Sequence, residues 1–280
     1  MIIVQLVGGL GNQLFQYAVG KRLAHVHNTI LKLDLSAFEK YTLHAYHINN
    51  FNIKEDIATA DDIAMVTNND YFSSNVNRKP VVRERFFHFD PGILELPDNV
   101  WLIGYWQCEK YFLDIKETII EEFSVRTRPD SRNQELADSI KSCNSVALHV
   151  RRGDYINNPH TNSVHGTCSL EYYQLCVAKL VEKVSDPHFI IFSDDPEWVT
   201  DNFGFLKYPV TFIDNNGPEK DYEDLRLMTI CKHNIIANST FSWWGAWLNP
   251  NPEKLVYAPA KWFNKEANTG DLIPASWFRV

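Results

Sequence analysis

Ile2-Ile3-Val4-Gln5-Leu6-Val7-Gly8-Gly9-Leu10-Gly11-Asn12-Gln13 opens the chain with two signals in succession. Ile2 to Leu6 is a short, mostly apolar run of the kind that forms a buried strand. Gly8, Gly9 and Gly11 then punctuate a turn. From Asn12 to His25 a helical period follows, with Leu14, Phe15, Ala18, Val19, Leu23 and Val26 as its apolar face. Thr29 to Leu33 reads as a second strand, ending at Asp34. Strand, glycine turn, helix and strand make the opening of a Rossmann-like unit.

The alternation restarts near residue 133, after a Pro129-containing linker over 126–132. Helices are predicted at 134–143, 170–184, 196–202 and 221–231, and one opens at Ser239-Thr240. Strands are predicted at 145–150, 188–192, 210–213, 234–237 and 255–258. Between the two units, residues 40–100 show no clear period; a strand at 100–104 and a helix at 111–123 follow them. Strands alternating with helices call for parallel sheets covered on both faces. The expected fold class is therefore α/β, with two Rossmann-like domains facing across a cleft.

Composition narrows the function. The 280 residues carry a formal net charge of −8, with no basic stripe, which argues against nucleic acid as a partner. A small anionic ligand needs only a few placed arginines. The five cysteines are odd in number and none is spaced as C-x-x-C, so neither a zinc site nor a disulfide framework is expected. No apolar run reaches the roughly 18 residues of a membrane span. The N-terminus lacks the basic region of a secretory signal. A cytoplasmic location is expected, and peripheral contact with the inner membrane is compatible with it. Nothing in the sequence fixes the oligomeric state.

Four segments carry the chemistry. The glycine turn lets the backbone approach a phosphate at the start of the following helix. Its spacing is neither G-x-G-x-x-G nor a P-loop, so a plain tight turn is an equal reading on spacing alone. The amides of Asn12 and Gln13 favour a ligand.

The second segment is His149-Val150-Arg151-Arg152-Gly153-Asp154, at a predicted strand end. His149 and Arg151 share a face of that strand. Two adjacent arginines there call for an anion: Asp154 neutralises one, and the other suits a diphosphate. A structural Arg–Asp pair is the competing account. The third segment is Asn238-Ser239-Thr240-Phe241-Ser242-Trp243-Trp244, where Ser239 or Thr240 fits a helix N-cap and an anion site, and the Trp residues fit packing. In the fourth, Phe192-Ser193-Asp194-Asp195, paired acids invite a metal. One such pair supplies few ligands, and Pro196 marks a helix start, so no metal is expected.

Together these segments resemble the α-1,2-fucosyltransferases, the bacterial ones in particular. The resemblance rests on Gly8 to Gln16, Gly104-Tyr105-Trp106-Gln107, His149 to Tyr155, Phe192 to Asp195 and Asn238 to Leu248, and so covers nearly the whole chain. It implies a GT-B architecture, with residues 1–130 as the acceptor-side domain and 131–280 as the GDP-fucose-binding domain with a C-terminal tail. It implies transfer of fucose from GDP-fucose, with inversion and with neither metal nor cofactor, to the 2-hydroxyl of a terminal β-galactoside in surface polysaccharide or O-antigen.

By the same resemblance, the donor site comprises Gly9, Gly11, Asn12, Gln13, His149, Arg151, Arg152, Asp194, Asn238, Ser239, Thr240 and Phe241. Arg151 or Arg152 would hold the diphosphate, His149 and Asp194 would lie near the nucleoside, and Ser239 and Thr240 would hold phosphate oxygens. Asp154 is the carboxylate expected to take the acceptor proton. In some α-1,6- and protein O-fucosyltransferases a Glu lies ten residues past the motif His. Here that position is Pro159, so that role does not carry over. A transferase with another donor or linkage, and a non-catalytic sugar-nucleotide or carbohydrate binder, are the competing readings.

Overall fold

The computed structural model describes residues 1–40, 43–67 and 80–280, with the backbone alone at Asp154, Asn157 and His160. It divides into two compact units: residues 1–126 with 268–272, and residues 127–267 with 273–280.

In the first unit, β1 (Ile2–Gln5) leads through a glycine turn into α1 (Leu10–Val26) and then β2 (Leu31–Asp34). There follow α2 (Ala60–Thr67), β3 (Val81–Arg83), β4 (Val100–Ile103) and α3 (Lys116–Glu122). The sheet is parallel with order β2-β1-β4-β3. The chain leaves β1 to one side and returns as β4 on the other. That reversal leaves a crevice outside the carboxyl ends of β1 and β4, where open α/β sheets bind ligands. The helix expected over 111–123 is shorter than its pattern: Phe112, at φ −143°, breaks it into two 3-10 turns ahead of α3.

α1 has no solvent-facing stripe along most of its length. Gln13 and Gln16 are buried with Leu14, Phe15, Ala18 and Val19, whereas Val26 is exposed. The two glutamines are tolerated inside because each binds backbone groups at the strand ends.

The second unit runs α4 (Ser131–Lys141), β5 (Asn144–Val150), α5 (Gly153–Asn157), α6 (Pro159–His165), α7 (Leu170–Val181) and β6 (Pro187–Ser193). It continues through α8 (Pro196–Asn202), β7 (Val210–Ile213), α9 (Asp221–Thr229), β8 (His233–Ile235), α10 (Thr240–Trp247), β9 (Val256–Ala258) and β10 (Phe278–Arg279). Six parallel strands take the order β10-β9-β8-β5-β6-β7.

Alternation along β5 feeds two cores. Val146, Leu148 and Val150 pack with Tyr173, Leu180 and Val199, which lie on α7 and α8. Ala147 packs on the other face with Leu136, Ile140 and Leu227, from α4 and α9. Each fully buried aliphatic side chain contributes roughly 1.5–3 kcal/mol. The sheet is thus packed on both faces.

Both units are parallel-sheet Rossmann-like folds, the α/β class expected. α5 and α6 carry no helical period and were not expected.

Candidate active site

In the second unit the chain goes from β5 outward to β6 and β7, then crosses back to place β8 on the other side of β5. The switch point therefore lies between β5 and β8. His149, Arg151 and Arg152 lie at the end of β5, and Asn238, Ser239 and Thr240 follow β8. The two expected segments meet there: the rings of His149 and Phe241 lie 5.7 Å apart, and Tyr155 Oη donates to the Asn238 carbonyl at 3.3 Å.

Both arginines are held by carboxylates at the end of the neighbouring strand β6. Arg151 Nη1 lies 3.0 Å from Asp194 Oδ2, and its guanidinium lies 5.4 Å from the Tyr155 ring centre. The Arg152 backbone N–H donates to Asp194 Oδ1 at 2.8 Å. Arg152 Nε donates to Asp195 Oδ2 at 3.0 Å, and its Cζ lies 3.8 Å from the Trp198 ring centre. The terminal nitrogens of Arg152 have no partner among the described residues. Such a pairing through Nε leaves the fork of the guanidinium open.

Asp194 and Asp195 are thus partners of the two arginines, and Asp194 meets the arginine segment with both of its oxygens. Asp154 lies in the first turn of α5, and the reading of it as a partner of one arginine falls on a side chain outside the described residues. Asp195 also caps α8 by accepting from Trp198 N–H at 3.2 Å, the helix-start role foreseen for it. Trp198 and the Asp195–Arg152 pair were missed, because a single carboxylate here does two jobs and only the cap has a sequence signature.

His149 is 6% exposed and its Nδ1 has no hydrogen-bond partner. Burial drives its imidazole down from 6.5 to about 4; the Asp194 carboxylate opposes this and Arg151 adds to it. The ring is therefore neutral near pH 7.

Ser239 is the N-cap residue of α10, yet its hydroxyl makes no capping bond. The hydroxyl and the first-turn amides of α10 are the donors at this edge. Asn238 is buried, and its Nδ2 donates to the carbonyls of His165, Gly166 and Trp262. It fixes the loop, and its side chain has little left to offer a ligand. Trp243, Trp244 and Trp247 are buried packing residues, as expected.

The remaining expected residues form a group in the first unit. Gly9 is the N-cap of α1 and Gly11 is buried in its first turn. Gly8 takes φ +86°, and a Cβ there would meet Asn12 Nδ2 at 2.6 Å, so the turn requires glycine. Asn12 accepts from Gln107 Nε2 at 2.9 Å. Gln13 is fully buried. It donates to the Gly8 and Ala45 carbonyls and accepts from the His47 and Ile48 N–H groups. Its hydrogen-bonding capacity is filled. Gln13 is a strut between the glycine turn and the 45–48 loop.

Among the described residues, no group of three or more His, Cys, Asp or Glu is placed to hold a metal ion. Among the same residues, no helix is long and apolar enough to cross a membrane.

The profile of glycosyl transferase family 11 matches residues 1–278. An alpha-1,2-colitosyltransferase of Escherichia coli is 36% identical, the match covering 100% of this chain and 99% of that protein. The O-antigen biosynthesis glycosyltransferase WbnK of Escherichia coli is 31% identical, over 98% of this chain and 99% of its own. Among solved structures, the NodZ alpha-1,6-fucosyltransferase co-crystallised with GDP shares the fold. Its TM-score is 0.53 at 15% identity, covering 87% of this chain and 90% of that one.

Proposed function

The chain belongs to glycosyl transferase family 11, and from that premise we propose that it is an inverting, metal-independent transferase that moves L-fucose from GDP-β-L-fucose to the 2-hydroxyl of a terminal β-galactoside. The observation that carries the reading is the pair of guanidinium groups at the β5 end, each backed by its own aspartate, at a sheet switch point. Such a pre-set pair suits a diphosphate, and carboxylates held behind it fix its direction before substrate arrives.

In an inverting step the acceptor hydroxyl attacks the anomeric carbon from the face opposite GDP. The C–O bond to the β-phosphate breaks, and negative charge grows on that phosphate. Arg152, with its open fork, and Arg151 stabilise this charge, helped by the Ser239 hydroxyl, Thr240 and the first-turn amides of α10. Neutral His149, tilted against Phe241, lines the same edge and offers an uncharged contact to the nucleoside. We assign Asp154, in the turn that follows Arg152, to take the proton from the attacking hydroxyl. The resemblance read from the motifs supports GDP-fucose and the galactoside. The α-1,2 linkage in the name of the colitosyltransferase and the O-antigen in the name of WbnK support a surface glycan as the acceptor.

The colitosyltransferase also favours a second reading, in which the donor sugar is colitose, which is fucose without its 3-hydroxyl. One experiment separates the two. GDP release is followed from GDP-fucose and from GDP-colitose, with EDTA present, over lactose, N-acetyllactosamine and acceptor-free controls. Galactoside-dependent release from GDP-fucose in EDTA, with NMR placing the new bond on O2 of galactose, is the expected outcome. Release from GDP-colitose alone moves the donor. Binding of GDP without turnover of either donor makes the chain a binding protein.

A further inference from the structure

The Gly104-Tyr105-Trp106-Gln107 turn follows β4 at the switch point of the first unit, and nothing in the proposed donor chemistry uses it. It is a constrained piece of chain. Glu84 accepts from the Tyr105 N–H at 2.7 Å and the Trp106 N–H at 3.0 Å. A Cβ on Gly104 would come 2.4 Å from Glu84 Cβ, so only glycine admits that carboxylate. Gln16 ties the turn to the end of β1, accepting from Val7 N–H at 3.0 Å and donating to the Gly104 carbonyl at 3.1 Å. Trp106 is held at φ +56°, a left-handed conformation that costs a bulky residue roughly 1–2 kcal/mol.

This clamp delivers Gln107 to the crevice with its carboxamide half used. Gln107 is 8% exposed, and its Nε2 donates to Asn12 Oδ1 at 2.9 Å. Its Oε1 is buried and has no partner. A buried carbonyl oxygen left without a donor costs roughly 1–3 kcal/mol, so this oxygen awaits a ligand group that donates. Its one bonded side chain, Asn12, is an uncharged carboxamide, and the Glu84 carboxylate holds the two preceding N–H groups of the turn. An acceptor-only oxygen with no cation bonded to its carboxamide repels phosphate and suits a hydroxyl. The preceding Trp106, one position before Gln107 and itself a lining residue where Gln107 is not, borders a cavity of about 680 Å³ together with Phe86, Tyr111 and the charged Arg83, Glu84 and Arg85, within the size range of small-molecule sites. A cavity of that size has room for more than one sugar ring.

We propose that this turn is the acceptor-recognition element of the first unit, and that Gln107 Oε1 accepts a hydrogen bond from one hydroxyl of the acceptor galactoside. Gln107 thereby sets acceptor specificity. The proposal rests on the galactoside reading above.

The test uses the full chain with a panel of β-galactosides, each lacking one hydroxyl, and compares wild type with Gln107→Leu and Gln107→Glu. Calorimetric GDP binding and the melting temperature establish that the variants are folded. Wild type is expected to lose about 10-fold or more in kcat/KM on one particular deoxy-galactoside, since a site built to hydrogen-bond a hydroxyl rejects the analogue lacking it. Gln107→Leu is expected to raise the galactoside KM by a similar factor, leave the GDP-fucose KM in place, and treat that deoxy acceptor and the parent alike. Gln107→Glu, which keeps an accepting oxygen, is expected to retain the discrimination. A folded Gln107→Leu that discriminates as wild type does, or that raises the donor KM instead, overturns the assignment and leaves the galactoside reading standing. A wild type that transfers to no galactoside at all overturns that reading and this assignment with it.

Discussion

A methyl group on Gly153 would sit 2.7 Å from Asp194 Oδ2, so the absence of a side chain at 153 is what admits the carboxylate that holds Arg151. The same carboxylate receives the Arg152 N–H, and the whole turn after β5 is thereby referred to the end of β6. Gly153→Ala must push Asp194 away or distort the turn. We expect turnover to fall at least about 10-fold with a stability loss of only about 1 kcal/mol, because the site is at a strand end and the core is untouched. Steady-state kinetics beside a urea melt check this. Unchanged kcat/KM would mean that Asp194 does not position the arginines.

Arg152 is held by its Nε on Asp195 and by its guanidinium face on Trp198 at 3.8 Å, which leaves the planar fork open. Lysine keeps the charge but has neither the plane nor the fixed fork of donors. Arg152→Lys is therefore expected to lose at least about 10-fold in kcat, and Arg152→Ala more, while both fold. Trp198→Leu, which removes the platform and leaves the charge, is expected to lose less than either. A lysine variant at wild-type rate would reduce Arg152 to a point charge and remove the argument for bidentate phosphate contact.

The fold was legible wherever the pattern is local. The run Ile2–Leu6, the helix after it, and the strands at 145–150 and 210–213 fall where hydrophobic period and punctuation place them. β3 was not legible, because three residues paired only to β4 by a parallel ladder carry no period of their own. The arginines and His149 were legible as a charged burst at a strand end. Their carboxylate partners were not, since Asp194 and Asp195 come from the next strand and lie 43 positions on from Arg151 and Arg152. The structural bonds of Gln13 were not legible for a related reason: its partners at Ala45, His47 and Ile48 lie far along the chain from the glycine turn.

Gln13 is expected to report on stability. Gln13→Leu keeps the volume but leaves two carbonyls and two N–H groups short of partners. Water can reach part of the 45–48 loop, so the cost is less than the sum of four unsatisfied groups, roughly 2–4 kcal/mol. Urea denaturation would show the midpoint shift. A variant as stable as wild type but defective in donor binding would restore Gln13 to the ligand site.

His149 gives the protein a pH dependence of definite sign. Its folded imidazole titrates near 4 against 6.5 when unfolded, with burial as the main cause. The folded state thus binds a proton less readily than the unfolded one. The stability that the neutral ring contributes is complete above pH 6.5, is lost as pH falls from 6.5 toward 4, and changes no further below that. The full span is roughly 3 kcal/mol, a large share of an ordinary domain's stability. His149→Phe, which fills the site without titrating, is expected to flatten this part of the curve when chemical denaturation is repeated between pH 4 and pH 8. The same slope in the variant would assign the dependence to other groups. A flattened slope with intact folding would assign this part of the pH dependence to the buried His149 ring.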